Sequence, residues 1–96
     1  MKYIEKDNKF IAVNEKNEEV GFIQFNKYDD FNYTAMQVFV DIKARGQKVA
    51  KGLVDQLAIR ARKDNMKIIP LCSYVKKLFE NDPDYQDIKE EMPAGC

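Results

Sequence analysis

Apolar positions along this chain follow two periods, and the change from one to the other divides it. Phe10-Ile11-Ala12-Val13 is a short apolar run, and Val20 to Phe25, VGFIQF, is rich in β-formers. With the polar NEKNEE of Asn14 to Glu19 between them, they predict a β-hairpin. Lys27 to Asn32, carrying Asp29-Asp30, predicts another turn. Tyr33 to Val40, YTAMQVFV, alternates loosely and ends in a dense apolar run. That predicts a strand buried on both faces toward its end.

The period then lengthens. Val49, Leu53, Leu57 and Ala61 recur every four residues, with Ala50, Val54 and Ala58 beside them. They predict one helix with a single apolar stripe, starting near Lys48 and ending near Asn65. Met66 to Leu71, MKIIPL, reads as a strand, and Ser73 to Asn81 as a shorter helix that Pro83 stops. The fold class is therefore α/β (α+β): antiparallel N-terminal strands, a β-α-β crossover and a short C-terminal helix in a single domain over 1–96, with a loose tail from about 89 to 96. If the strands Tyr33–Val40 and Met66–Leu71 share a sheet, the crossover makes them parallel. Pro70 cannot donate to a ladder, so the pair should separate at its carboxyl end. Such crevices bind ligands in open α/β sheets, and the long helix begins beside this one with free N–H groups and its positive dipole end.

Lys+Arg and Asp+Glu each total 16, so nothing global demands nucleic acid. The charge is uneven, however. Lys43 to Lys67 holds eight basic and two acidic residues, and Glu80 to Glu91 six acidic residues and one lysine. That fits two solvated surfaces of opposite sign, or a local anion site in the basic stretch. No apolar run approaches the ~20 residues of a membrane span. The chain starts without a signal-peptide core. Cys72 and Cys96 are too far apart to form a disulfide framework, so a reduced, cytoplasmic setting is expected. Abundant lysine and asparagine with little arginine point to a bacterial source. There is no metal-ligand cluster.

Arg45-Gly46-Gln47-Lys48-Val49-Ala50 opens the long helix. It resembles the acetyl-CoA pyrophosphate loop of the Gcn5-related N-acetyltransferases, Arg/Gln-x-x-Gly-x-Gly/Ala. Arg45 and Ala50 match the pattern, whereas Lys48 stands in place of its central glycine. A lysine there still offers its N–H if its φ stays negative, and it adds a cation. Lys67 to Ile88 resembles the end of a very small branch of that family, with Pro70-Leu71-Cys72, a short helix and Pro83-Asp84-Tyr85. The resemblance extends from Val20 to Ile88.

The resemblance implies acetyl-CoA as cofactor. Val38, Phe39 and Val40 would pair their backbone with the pantetheine. Arg45, Gly46, Gln47, Lys48, Val49, Ala50 and Lys51 would form the phosphate-binding turn, with the N–H groups of Gln47 to Lys51 on the pyrophosphate. Cys72 would face the thioester. Phe79 takes the place of the tyrosine that protonates the leaving thiolate, and it has no hydroxyl. The branch's His-Thr-Glu-Val reads Gln37-Val38-Phe39-Val40, and the chain has no histidine. Cys72 could instead take the acetyl group itself and pass it on, the N-terminus of the helix at Ser73 and Lys76 and Lys77 favouring its thiolate. The expected function is acetyl transfer to a small amine or protein lysine, with neither nucleic acid nor membrane as partner. The alternative is a non-catalytic CoA-binding or protein-interaction module of the same fold. Tyr74 reads more readily as a core residue than as a wall of the cofactor site.

Overall fold

The computed structural model describes residues 1–91. Cys96 and the end of the expected tail lie outside them. The elements run β1 (Lys2–Lys6), β2 (Lys9–Val13), β3 (Glu19–Lys27), β4 (Asn32–Val40), α1 (Val49–Lys63), β5 (Lys67–Pro70) and α2 (Ser73–Asn81), with 3₁₀ turns at Ile42–Ala44 and Pro83–Tyr85. The five strands form one sheet in the order β1-β2-β3-β4-β5. Neighbours are antiparallel as far as β4, and β4 and β5 are parallel.

β1 has no apolar run and escapes a reading by hydrophobicity. Its pairing comes from the turn: Asp7 and Asn8 adopt φ of 53° and 61°. Two successive left-handed residues make the hairpin turn whose twist suits antiparallel strands, and aspartate and asparagine tolerate that conformation.

The predicted stripe on α1 is the buried one. Val49, Leu53, Val54, Leu57, Ala58 and Ala61 pack in one cluster with Phe10, Ile23, Phe25, Ala35 and Ile68 of the sheet. Each fully buried leucine contributes roughly 2 kcal/mol of transfer free energy. The helix ends where Asn65 turns left-handed, at φ 56°. Met66 N–H then donates to the Ala61 carbonyl at 2.8 Å and Asn65 N–H to that of Arg62 at 3.2 Å, which satisfies the last turn.

β4 departs from expectation. Tyr33 to Ala35 are buried, but Met36, Gln37 and Phe39 are exposed, so burial falls toward the strand's end instead of rising. β5 is short and pairs only with Asn32 to Ala35. Beyond that the apolar run of β4 lacks a parallel neighbour among the described residues. At the start of the expected tail, Glu90 N–H donates to the Ile68 carbonyl at 2.9 Å, and Ile68 and Lys89 form a parallel bridge. The outer edge of β5 thus finds partners for its backbone.

Candidate functional site

The strands separate for a local reason. Gln24 pairs with Gln37 and Phe25 with Ala35, which leaves Met36 as an extra, bulged residue. It directly follows Ala35, the last β4 residue opposite β5. A bulge bends its strand and increases the twist. Opposite it, the N–H groups of Leu71 and Cys72 both donate to the Ala35 carbonyl, at 3.0 and 3.1 Å, as the chain leaves the sheet for α2. Pro70 closes the paired stretch, as its missing donor predicts.

Past this point β4 has an open edge. Asp41 N–H donates to the Val20 carbonyl at 2.7 Å, so by alternation Phe39 turns its backbone to β3 while Val38 and Val40 turn theirs to the crevice. Phe39, expected to serve with them, therefore has no backbone group on that edge. The Val40 carbonyl meets Arg45 Nε there at 3.4 Å.

The chain from β4 to α1 is tightly wound. Asp41 caps the first 3₁₀ turn by accepting the Lys43 N–H at 2.9 Å. Gly46 takes φ +84°, and Lys48, at φ 60° and ψ 27°, is the residue before α1. The condition of a negative φ at Lys48 is thus not met: it adopts the left-handed conformation that glycine occupies at no steric penalty. The Gln47 N–H is engaged with the Ala44 carbonyl at 3.4 Å, and Gly52 N–H makes the first helical bond, to Lys48, at 3.0 Å. Among the described residues no acceptor meets the N–H groups of Gly46, Lys48, Val49, Ala50 and Lys51. The first turn holds no acidic residue. A helix start with aligned free donors and no carboxylate favours an anion.

Much of the basic stretch is neutralised. Arg60 pairs with Glu5 and Asp64, Arg62 with Asp87, and Lys51 with Asp55 at 3.3 Å. Lys43, Arg45 and Lys48 have no carboxylate partner among the described residues, and they cluster at the turn. A cavity of about 390 Å³ joins the parts: Val40 on one side, Arg45, Gly46 and Lys48 to Lys51 on another, and Tyr74 from α2. Tyr74 is 40% exposed and lines this wall, so it is not the core residue the sequence favours. Burial pushes its hydroxyl pKa up.

Cys72 is a half-buried free thiol that precedes α2 and packs against the core's margin. It lines neither this cavity nor a second one of about 530 Å³ between α2 and the segment Lys89–Glu91. Phe79 is fully buried and stacks on Tyr85, ring centroids 5.1 Å apart, so the tyrosine place is filled by a core side chain.

The residues that brace the turn carry little sequence signal. The Tyr85 hydroxyl donates to Asp55, which also holds Lys51. The Tyr85 hydroxyl and the Asp55 carboxylate keep the Lys51 ammonium above its usual pKa. Burial, then the bond to Asp55, pushes Tyr85 up to about 12. This network ties the first turns of α1 to the Pro83–Tyr85 turn. The spacing of 30 residues between Tyr85 and Asp55 leaves nothing for periodicity to detect.

The sequence profile of the GCN5-related N-acetyl-transferase family matches residues 9–88. The chain belongs to this family. No curated protein matches it. Among solved structures, the NMR structure of a GCN5-like protein from Staphylococcus aureus is 26% identical, with a TM-score of 0.78 over 98% of this chain and 92% of that one. Larger proteins share the fold. An acetyltransferase from Elizabethkingia anophelis with acetyl-CoA bound is 16% identical with a TM-score of 0.62, over 75% of this chain and 49% of that one. A Mycobacterium tuberculosis protein in complex with CoA and NLQ is 17% identical with a TM-score of 0.66, over 76% of this chain and 46% of that one.

Proposed function

We propose that the chain binds acetyl-CoA in the crevice between β4 and β5 and transfers its acetyl group through Cys72 to a small amine or a protein lysine. One observation carries the reading: unmet N–H groups at the start of α1 and the end of β4's open edge at Val40 converge on one cavity. The free donors and Lys43, Arg45 and Lys48 suit a pyrophosphate. The open backbone of Val38 and Val40 suits an amide-bearing arm laid along it as a further strand. The separation at Ala35 would admit the thioester end, with Cys72 beside it.

Acetyl-CoA supplies an activated acetyl thioester. In the first step the Cys72 thiolate forms a bond to the acetyl carbon. The thioester C–S bond breaks and the CoA sulfur leaves as a thiolate, which takes a proton. In the second step the amine attacks the acetyl-cysteine, the Cys72 C–S bond breaks and the amine proton passes to solvent or to the thiolate. This route needs neither a histidine base nor a hydroxyl at Phe79. The connection between β2 and β3 is only a short turn, and an open wall there suits a bulky acceptor such as a protein.

The test is intact-mass spectrometry after incubation with acetyl-CoA. Wild-type protein should gain one acetyl group. Cys72→Ala should gain none while keeping its affinity for acetyl-CoA. Equal acetylation of Cys72→Ala would end the cysteine route. Binding without acetylation of either protein would favour a CoA-binding module without turnover, a reading that the buried Phe79 and the absence of Cys72 from both cavities support.

A further inference from the structure

On the sheet face turned away from α1, paired residues form an apolar row across four strands. Ile4 lies opposite Ile11, Ile11 opposite Phe22, and Phe22 opposite Phe39. The ends of the row stand in solvent, Ile4 at 48% and Phe39 at 46% exposure. The core needs none of the four, since its strand residues, Phe10, Ala12, Ile23 and Phe25 among them, point to the other face. An in-register apolar row left facing water marks a binding surface. It crosses three gaps between strands, roughly 14 Å.

The charge around the row is mainly positive. Lys2 and Lys6 share the face of Ile4, and Lys9 lies opposite Lys6. Lys9 Nζ sits 4.7 Å from the Phe22 ring centroid. Glu5 points the other way, to Arg60. Glu19, opposite Val13, is the one aspartate or glutamate at a strand position on this face, and it lies in the Lys2 row, at the end of β3 away from Lys6 and Lys9.

We propose that this face docks an acidic amphipathic segment of a partner protein. Its apolar side chains would lie along the row from Ile4 to Phe39 and its carboxylates against Lys2, Lys6 and Lys9. Charge selects this occupant. A second copy laid face to face with its row in the same direction would bring the same three lysines together, and like charges across an interface oppose it. Nucleic acid fits less well. Successive bases need open ring faces. Here Phe22 and Phe39 stack on each other, centroids 5.7 Å apart, with Lys9 on the remaining side of Phe22. A helix of about nine residues covers the length of the row. The inference does not depend on acetyl transfer.

The experiment titrates the full chain into a fluorescein-labelled helical peptide with leucines at i, i+3, i+4 and i+7 and glutamate or aspartate elsewhere. A lysine counterpart of the peptide and a poly-dT oligonucleotide are run beside it. The acidic peptide should bind, with amide shifts on Ile4, Ile11, Phe22 and Phe39, and the lysine peptide should not. Ile4→Ser should weaken binding about tenfold, as loss of an apolar anchor does. Lys6→Glu should weaken it several-fold and flatten its salt dependence. Both side chains are exposed, so both variants should fold, and Ile4→Ser should keep any affinity for acetyl-CoA. The proposal fails if the acidic peptide does not bind at millimolar concentration, or if both variants bind it as wild type does. It also fails if the oligonucleotide binds more tightly, or if sedimentation shows a self-associated species that Ile4→Ser dissolves.

Discussion

Lys48 at the mouth of α1 offers a direct test of how this turn is held. Its φ of 60° and ψ of 27° place an L-residue in the left-handed region, with a clash between Cβ and carbonyl that costs about 1–2 kcal/mol. Lys48→Gly removes that strain. It also gives the unfolded chain more freedom, worth about 0.5–1 kcal/mol in the opposite direction. The two terms partly cancel, so the variant should be as stable as wild type or up to about 1.5 kcal/mol more so. Lys48→Val puts a branched Cβ where even lysine is strained, and it should lose about 1–2 kcal/mol, a fall in Tm of roughly 5–15 °C for a chain of this size. Urea and thermal unfolding measure both changes. A titration with acetyl-CoA follows the second consequence. Lys48→Gly keeps the backbone donors and loses one exposed cation, so affinity should fall only a few-fold, and less at high salt. A valine variant that melts with wild type, or a glycine variant more than about 1 kcal/mol less stable, would refute the left-handed assignment and the reasoning built on it.

Two further outcomes follow from contacts outside the turn. A Cβ at Gly21 would come within 2.7 Å of the Phe39 carbonyl on the neighbouring strand. Gly21→Ala should therefore cost about 1–3 kcal/mol in urea unfolding, and wild-type stability would show that β3 and β4 do not approach so closely. Tyr85 has its pKa raised from 10.0 to about 12. A group neutral in the folded state and ionised in the unfolded one contributes stability that is intact below its unfolded pKa. That contribution drains away as pH rises from 10.0 through about 12. Wild type should therefore lose more urea resistance over that interval than Tyr85→Phe, and parallel decline of the two would show that the Tyr85 hydroxyl is not held above its ordinary pKa in the folded state.

Much of the scaffold was legible in the residues themselves. The four-residue recurrence from Val49 to Ala61 marks α1, and its stripe is the face that packs on the sheet. The span Ser73–Asn81 of α2 is that of its apolar spacing and following proline. Pro70 announces where β4 and β5 part, because a missing donor is a property of the residue alone. β1 was not legible, since an edge strand with four of its five residues exposed leaves no hydrophobic period to read. Nor was the exposure of Phe39. Its apolar neighbourhood in sequence reads as a buried strand, but its side chain lies on the sheet face turned away from α1.

The site divides in the same way. Local sequence decides that a glycine-containing turn with Arg45 and Lys48 opens a helix, because caps, charge and φ preference act within a few residues. Whether that turn is a site depends on distance in space. The Met36 bulge bends β4 where its pairing to β5 ends, so Val38 and Val40 present free backbone beside the start of α1. Lys51 and Asp55 are braced by Tyr85 from another turn of the chain, and the lysines of β1 and β2 join the Phe22–Phe39 row only through strand register. Periodicity and local chemistry determine which elements form. Which groups stay unmet and face one another is decided by pairing between distant segments, and no single stretch of sequence carries that.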